Sequence, residues 1–195
     1  MSSLSLIVGL GNPGPEYKST RHNAGVWWVK ALAECYGCQW QLENKFHGFC
    51  ARIKTHHMDC RLLLPVTYMN RSGMAVSSVA KYYQCDSGKI LIAHDEIDLK
   101  AGQVRLKKSG GHGGHNGLRD IISALGDRDF WRLRIGVGHP GHKSQVIDYV
   151  LKSPSKKEQL VIDQSIDDSL GMKEELLGGE MAKAMNIINT KNESA

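Results

Sequence analysis

Leu4-Ser-Leu-Ile-Val-Gly-Leu10 runs straight into Gly11-Asn-Pro-Gly-Pro15, and this junction decides how the rest of the chain is read. A short apolar run that stops at a cluster of turn formers has the pattern of a buried strand. Polar Glu16–Arg21 then delays any periodicity. From His22 to Tyr36, Val26, Val29, Leu32 and Ala33 recur at helical spacing. Strand, turn and helix in that order open an α/β fold.

The alternation continues along the chain. Phe46–Ile53 and Cys60–Leu64 read as strands joined by a polar turn, and Asn70 and Ser72 stand where they would cap a helix running to about Tyr83. Lys89–Ala93 is another buried strand, with His94-Asp95-Glu96 at its carboxyl end. Gln103–Lys107 reads as a strand leading into the glycine-rich Ser109–Gly117. Leu118, Ile121, Ile122 and Leu125 follow the i, i+3, i+4, i+7 spacing of an amphipathic helix. Arg132–Val137 alternates charged and apolar residues as a half-buried strand does. Ile162, Ile166, Leu170 and Leu177 predict one long helix, which Gly178-Gly179 separates from a shorter one carrying Met181, Ala184, Met185 and Ile188. The class is therefore α/β, with one sheet covered by helices. No repeat or linker divides the chain, so residues 1–195 are expected to form a single domain.

Composition narrows the function. Apolar residues make up 41% and charged residues 23% of the 195, which is globular composition. No run approaches the roughly 18 apolar residues of a membrane span. The first residues lack the basic flank of a signal peptide, and the five cysteines have no framework spacing, so a cytoplasmic protein with reduced thiols is expected. Cys35-Tyr-Gly-Cys38 closes a helix rather than opening one, which is the wrong end for a redox thiolate. Between Lys100 and Lys143 nine Lys/Arg face three Asp, a net of +6, whereas from Ser153 onward the net is −3. A basic middle with an acidic tail suggests one face for a polyanion.

Each motif has a competing reading. Gly9-Leu-Gly-Asn-Pro-Gly14 formally matches G-x-G-x-x-G, but Pro13 and Pro15 remove donors that a pyrophosphate needs, and no helix starts at once. It reads as a turn shaping a pocket wall. His112-Gly-Gly-His115, with His94, Asp95, His139 and His142, invites a metal hypothesis. Ligands on a glycine loop would cost ordering entropy, and a mobile donor-rich loop is the better reading. Asn12, Asn70 and Asn116 each stand at a strand–helix junction, where composition alone favours an ordinary turn former or N-cap, the competing reading being three carboxamides pointed into one cleft. His22 falls at a helix start and Asp95 at a strand end, where a carboxylate would make the imidazole a base active near neutral pH. No G-x-S-x-G is present, so a serine nucleophile elbow is unsupported.

Six ordered blocks join these residues: Val8-Gly-Leu-Gly-Asn-Pro-Gly14; Glu16-Tyr17 with Thr20-Arg-His-Asn-Ala-Gly25; Pro65-Val-Thr-Tyr-Met-Asn70 with Ser72-Gly73; Ala93-His-Asp-Glu96 with Asp98-Leu99; Gly110-Gly-His-Gly-Gly-His-Asn-Gly117; and Arg132-Leu-Arg-Ile-Gly-Val-Gly-His-Pro-Gly141. Together they resemble the bacterial peptidyl-tRNA hydrolase family. The resemblance implies a single mixed, mostly parallel twisted sheet surrounded by helices, acting as a monomer without cofactor or metal. The implied reaction is hydrolysis of the ester between a peptide and the 3′ end of tRNA. By position, His22 is the base and Asp95 its orienting carboxylate. Asn12 would discriminate N-blocked from free aminoacyl ends, and Tyr17, Tyr68, Asn70 and Asn116 would contact the 3′ end and the peptide. Lys107 and Arg134 match the family's clamp on the tRNA 5′ phosphate. Tyr68 stands where phenylalanine is common. Two other classes compete: an RNA-binding module without turnover, and a metal-dependent hydrolase.

Overall fold

The computed structural model describes residues 3–191 and builds them around a seven-stranded sheet of order β2-β3-β4-β1-β5-β7-β6. The strands are β1 (Leu6–Gly9), β2 (Gln41–Glu43), β3 (Gly48–Lys54), β4 (Asp59–Pro65), β5 (Ile90–Glu96), β6 (Val104–Lys108) and β7 (Trp131–Gly136). Its centre, β4-β1-β5-β7, is parallel, while β2, β3 and β6 attach antiparallel at the flanks. The expected mixed sheet is present, parallel through the strands that matter for the site.

Helices cover both faces, which explains why β1 and β5 read as unbroken apolar runs. Ile7 and Leu91 face a layer containing α1 (Ala24–Cys35), α5 (Lys156–Leu170), α6 (Lys173–Gly178) and α7 (Met181–Lys191). Leu6, Val8, Ile90 and Ile92 face α2 (Ser72–Tyr82) and α3 (Asn116–Leu125). The edge of β6 is also covered. Asn189 of α7 accepts from the Leu106 N–H at 2.8 Å and donates to its carbonyl at 3.1 Å, completing a ladder that would otherwise end.

Several local expectations shift. A single 3-10 turn, Arg21–Asn23, precedes α1, so His22 sits just outside the helix. Gly25 lets α1 touch β5, because a Cβ there would collide with the Ala93 carbonyl. Ser72 does not cap α2: its buried hydroxyl donates back to the Met69 carbonyl at 2.8 Å. The long helix expected from Ile162 to Leu177 is broken. Gly171 and Met172 turn the chain through i→i+3 bonds to Asp168 and Ser169, which puts Leu177 on α6. Two short elements were not anticipated: β2, and the five-residue α4 (Val146–Val150).

Candidate active site

The carboxyl ends of β1, β4 and β5 open on one cleft of about 640 Å³. Asn12 follows β1, Tyr68 and Asn70 follow β4, and Asp95 lies near the end of β5. The glycine loop after β6 adds His112, His115 and Asn116, while Ile97, Val146, Ile147, Val150 and Leu151 form an apolar wall. Crevices outside the carboxyl ends of parallel strands are where open α/β sheets bind ligands.

Asp95 organises the chemistry. It is 3% exposed, and its Oδ1 contacts His22 Nδ1 at 2.8 Å and His115 Nε2 at 3.0 Å. The tautomers follow from the remaining bonds. His115 is the N-cap of α3, and its Nδ1 accepts from the backbone N–H groups of Gly117 and Leu118 at 3.1 and 3.3 Å. Neutral His115 therefore carries its proton on Nε2 and donates to Asp95. A carboxylate oxygen at His22 Nδ1 fixes that proton likewise, which leaves the His22 Nε2 lone pair as the basic atom of a cleft-lining ring.

Electrostatics agree with this arrangement. Burial works against a charge on His22, but the Asp95 charge and hydrogen bond outweigh it and lift the imidazole above its ordinary 6.5. Burial alone would raise the Asp95 carboxyl. The two imidazoles instead hold it far below the usual carboxylate range. His94 lies behind them, fully buried, donating Nδ1–H to the Asp95 carbonyl at 2.7 Å with its ring edge against His115. Burial and the neighbouring His115 push His94 down to about 3, so it is neutral.

One nitrogen from each of His22 and His115 and one Asp95 oxygen lie within 4.8 Å of one another, a grouping that offers three ligand atoms to a metal. Their bonding argues otherwise. A metal on His115 Nε2 would move the proton to Nδ1, against the two N–H groups that α3 already points there. The set fits a hydrogen-bonded relay. Of the other histidines weighed as metal ligands, His139 and His142 are exposed on the segment after β7, and His112 lines the cleft with its Nδ1 accepting from the Gly114 N–H.

The three asparagines do converge on the cleft. Asn12 Oδ1 accepts from the Met69 N–H at 2.7 Å, so its amide nitrogen is the group left to donate. Asn70, in the middle of the 3-10 turn Met69–Arg71, and Asn116, the first residue of α3, are exposed. Tyr68, 57% exposed, lines the cleft and meets Tyr17 edge-on at 6.4 Å between ring centres. Lys107 and Arg134 line a second recess of about 290 Å³, which shares Glu96, His112 and Gly113 with the cleft. Lys107 is exposed there, whereas Arg134 is held by Glu96 at 2.9 Å. Sequence reasoning missed the part played by His115, although its place just before Asn116-Gly-Leu118 is that of an N-cap. It also missed α4, whose signal was Val146, Ile147, Val150 and Leu151 at i, i+1, i+4, i+5. Arg21, next to His22 in sequence, anchors the carboxyl end of α4 and the chain after it by donating to the carbonyls of Tyr149, Lys152 and Ser153.

No serine, threonine or cysteine lines the cleft among the described residues. An α/β sheet that carries a buried carboxylate–imidazole pair on a cleft lined by carboxamides, Glu96 and Lys143 has the make-up of a hydrolytic enzyme. The peptidyl-tRNA hydrolase family pattern matches residues 6–195. A peptidyl-tRNA hydrolase of Nitrosospira multiformis is 50% identical over 191 residues, covering 98% of this chain and all of that one. One from Acinetobacter baumannii is 53% identical, covering 97% of each. The crystal structure of peptidyl-tRNA hydrolase from Acinetobacter baumannii superposes with a TM-score of 0.94 at 52% identity, covering 97% of this chain and 96% of that one. This chain belongs to the peptidyl-tRNA hydrolase family.

Proposed function

We infer that the chain hydrolyses the ester between an N-blocked aminoacyl or peptidyl group and the 3′ end of tRNA, with His22 as general base. The observation that carries this reading is the His22–Asp95–His115 relay opening on a cleft with no serine, threonine or cysteine among its described lining residues. His22 Nε2 takes a proton from water as the water oxygen attacks the acyl carbon. The oxyanion is met by carboxamide N–H donors, Asn70 and Asn116 foremost. Collapse breaks the ester, and the ribose oxygen leaves with the proton that the imidazolium returns, giving free tRNA and a peptide acid. General-base help supplies about 10²–10⁴-fold, so orientation by the carboxamides carries much of the remainder.

The other site residues take roles consistent with their places. Asn12, with its oxygen occupied by Met69, presents N–H donors that suit the carbonyl of a blocked amino group. Tyr68, backed by Tyr17, offers an aromatic platform for the 3′ nucleotide. Lys107 and Arg134 suit a terminal phosphate on the far side of the glycine loop. The protein works as a cytoplasmic, single-domain monomer that needs no metal. The test is release of N-acetyl-aminoacyl groups from tRNA by the purified protein with and without EDTA. Turnover undiminished by chelator is expected. Binding without turnover, or EDTA inactivation reversed by zinc, would overturn the reading.

A further inference from the structure

Arg132 belongs to the run of cations that marks the middle of the chain, yet it is only 4% exposed. It lies on β7, with its guanidinium over the Phe130 ring at 4.8 Å, and its two terminal nitrogens donate to the carbonyls of Gly110 and Gly111. Those carbonyls begin the loop that delivers His112, His115 and Asn116 to the cleft. Ser109, Gly110, Gly113 and Gly114 take left-handed φ values of 61°, 115°, 56° and 84°. The remaining bonds are the Ser109 N–H to the Phe130 carbonyl and those of the Gly114 and His115 N–H groups back to His112, none of which holds the Gly110 or Gly111 carbonyl. At its far end His115 ties it to Asp95 and to α3. Arg132 secures the near end. Lys107, opposite Arg132 in the β6–β7 register, reaches the same corner, since a Cβ on Gly110 would stand 3.2 Å from its Nζ.

We propose that Arg132 is a positioning residue for the hydrolytic reaction: its two-pronged grip on Gly110 and Gly111 sets where the glycine loop begins, and so where His115 meets Asp95 and where Asn116 points. The planar guanidinium fixes two successive carbonyls at once, which a lysine ammonium, a single point charge, cannot do. Two neighbouring cations thus have separate tasks. Lys107 faces solvent and is available to a phosphate, and Arg132 faces inward and holds backbone. This rests on the relay assigned under the proposed function.

The experiment compares Arg132→Lys and Gly110→Ala with the unaltered protein on two substrates, peptidyl-tRNA and an N-acetyl-aminoacyl ester of a short 3′ fragment. Gly110→Ala disturbs the grip from the loop side, because alanine disfavours the φ of 115°, and it leaves β7 intact if the lysine variant fails to fold. Both variants are expected to lose about 10-fold or more in kcat, by the same factor on both substrates, as a misplaced catalytic loop does. In Arg132→Lys the salt dependence of tRNA binding should keep its slope, since no phosphate contact is lost; Gly110→Ala is read on the fragment, because its Cβ would crowd the Lys107 ammonium. Amide exchange across residues 111–115 should accelerate. Unchanged kcat would overturn the proposal, as would a loss confined to full-length tRNA with a flatter salt slope, which would make Arg132 a phosphate contact. Failure of the hydrolase reading shows separately, as absence of turnover by the unaltered protein, and amide exchange then still decides whether Arg132 holds the loop.

Discussion

A single oxygen, Asp95 Oδ1, receives two imidazole N–H groups, so the two histidines cannot be altered independently of it. His22→Ala should lower kcat about 10²-fold or more with KM little changed, as expected when a general base is lost and binding is kept. Asp95→Asn acts through the same base, so adding it to His22→Ala should cost little more. Additive losses in a steady-state double-mutant cycle would mean that Asp95 works apart from His22. The pH profile is a sharper test. Only neutral His22 accepts a proton, and Asp95 lifts its pKa above 6.5, so the acid limb of kcat/KM should be centred above pH 6.5. In Asp95→Asn the lifting charge is gone while burial remains, and the limb should move to lower pH; a limb that stays in place removes Asp95 from the mechanism. The linkage has a definite sign: the His22–Asp95 attraction stabilises the fold fully below the unfolded histidine pKa, about 6.5, and is lost as pH rises through the raised folded value. The base becomes active over the same interval in which it stops contributing that stability.

Among the elements, α4 is the smallest helix and one whose loss would be felt by substrate before the fold. Ile147 is 66% exposed at the rim of the cleft, so the folded state gains little from it and a bound acyl chain is what would cover it. Ile147→Ser should raise KM about 5- to 10-fold for esters with large apolar side chains, the scale of losing part of one buried aliphatic contact, and leave glycyl esters and the thermal midpoint almost unchanged. An equal effect on both esters would place Ile147 in positioning rather than recognition. α4 went unread in the sequence because five residues give barely more than one turn, so the spacing of Val146, Ile147, Val150 and Leu151 spans a single repeat and does not stand out from a loop. The three-residue β2 is short in the same way. By contrast β1, β5 and α3 were legible because burial on both faces, or one strong apolar stripe, writes itself into composition. The break between α5 and α6 was not, since Gly171 alone does not tell whether a helix tolerates it or turns there. At the site, His22, Asp95 and the three asparagines were named through the family's ordered blocks, because position at a strand or helix end alone favours a capping histidine and turn-forming asparagines. The relay through His115 could not be named, because it depends on which ring nitrogen the first turn of α3 occupies.

At the scale of the molecule, two neighbouring recesses share Glu96, His112 and Gly113, one holding the His22–Asp95 pair and the other lined by Lys107, Arg132 and Arg134. The basic middle is not one uniform surface. Arg132 is turned inward, Arg134 is paired with Glu96, and Lys107 is exposed at the recess with its ammonium beside Gly110. Charge at Lys107 should therefore govern how tightly whole tRNA is held, and not how fast a bound ester is cut. Lys107→Glu replaces attraction by repulsion toward a phosphate and should raise KM for full-length peptidyl-tRNA at least 10-fold at low salt. Removing the charge alone, as in Lys107→Ala, should lower the slope of log affinity against log salt by about one, since one fewer counterion is released. The short 3′ fragment lacks that phosphate and should be cleaved at the unaltered rate by both variants. The comparison works because the two recesses are adjacent but distinct, so distance alone does not protect the fragment reaction. Equal damage to tRNA and fragment would show that Lys107 acts through the glycine loop on the His115–Asp95 contact, and the phosphate assignment would then fall while the relay stood.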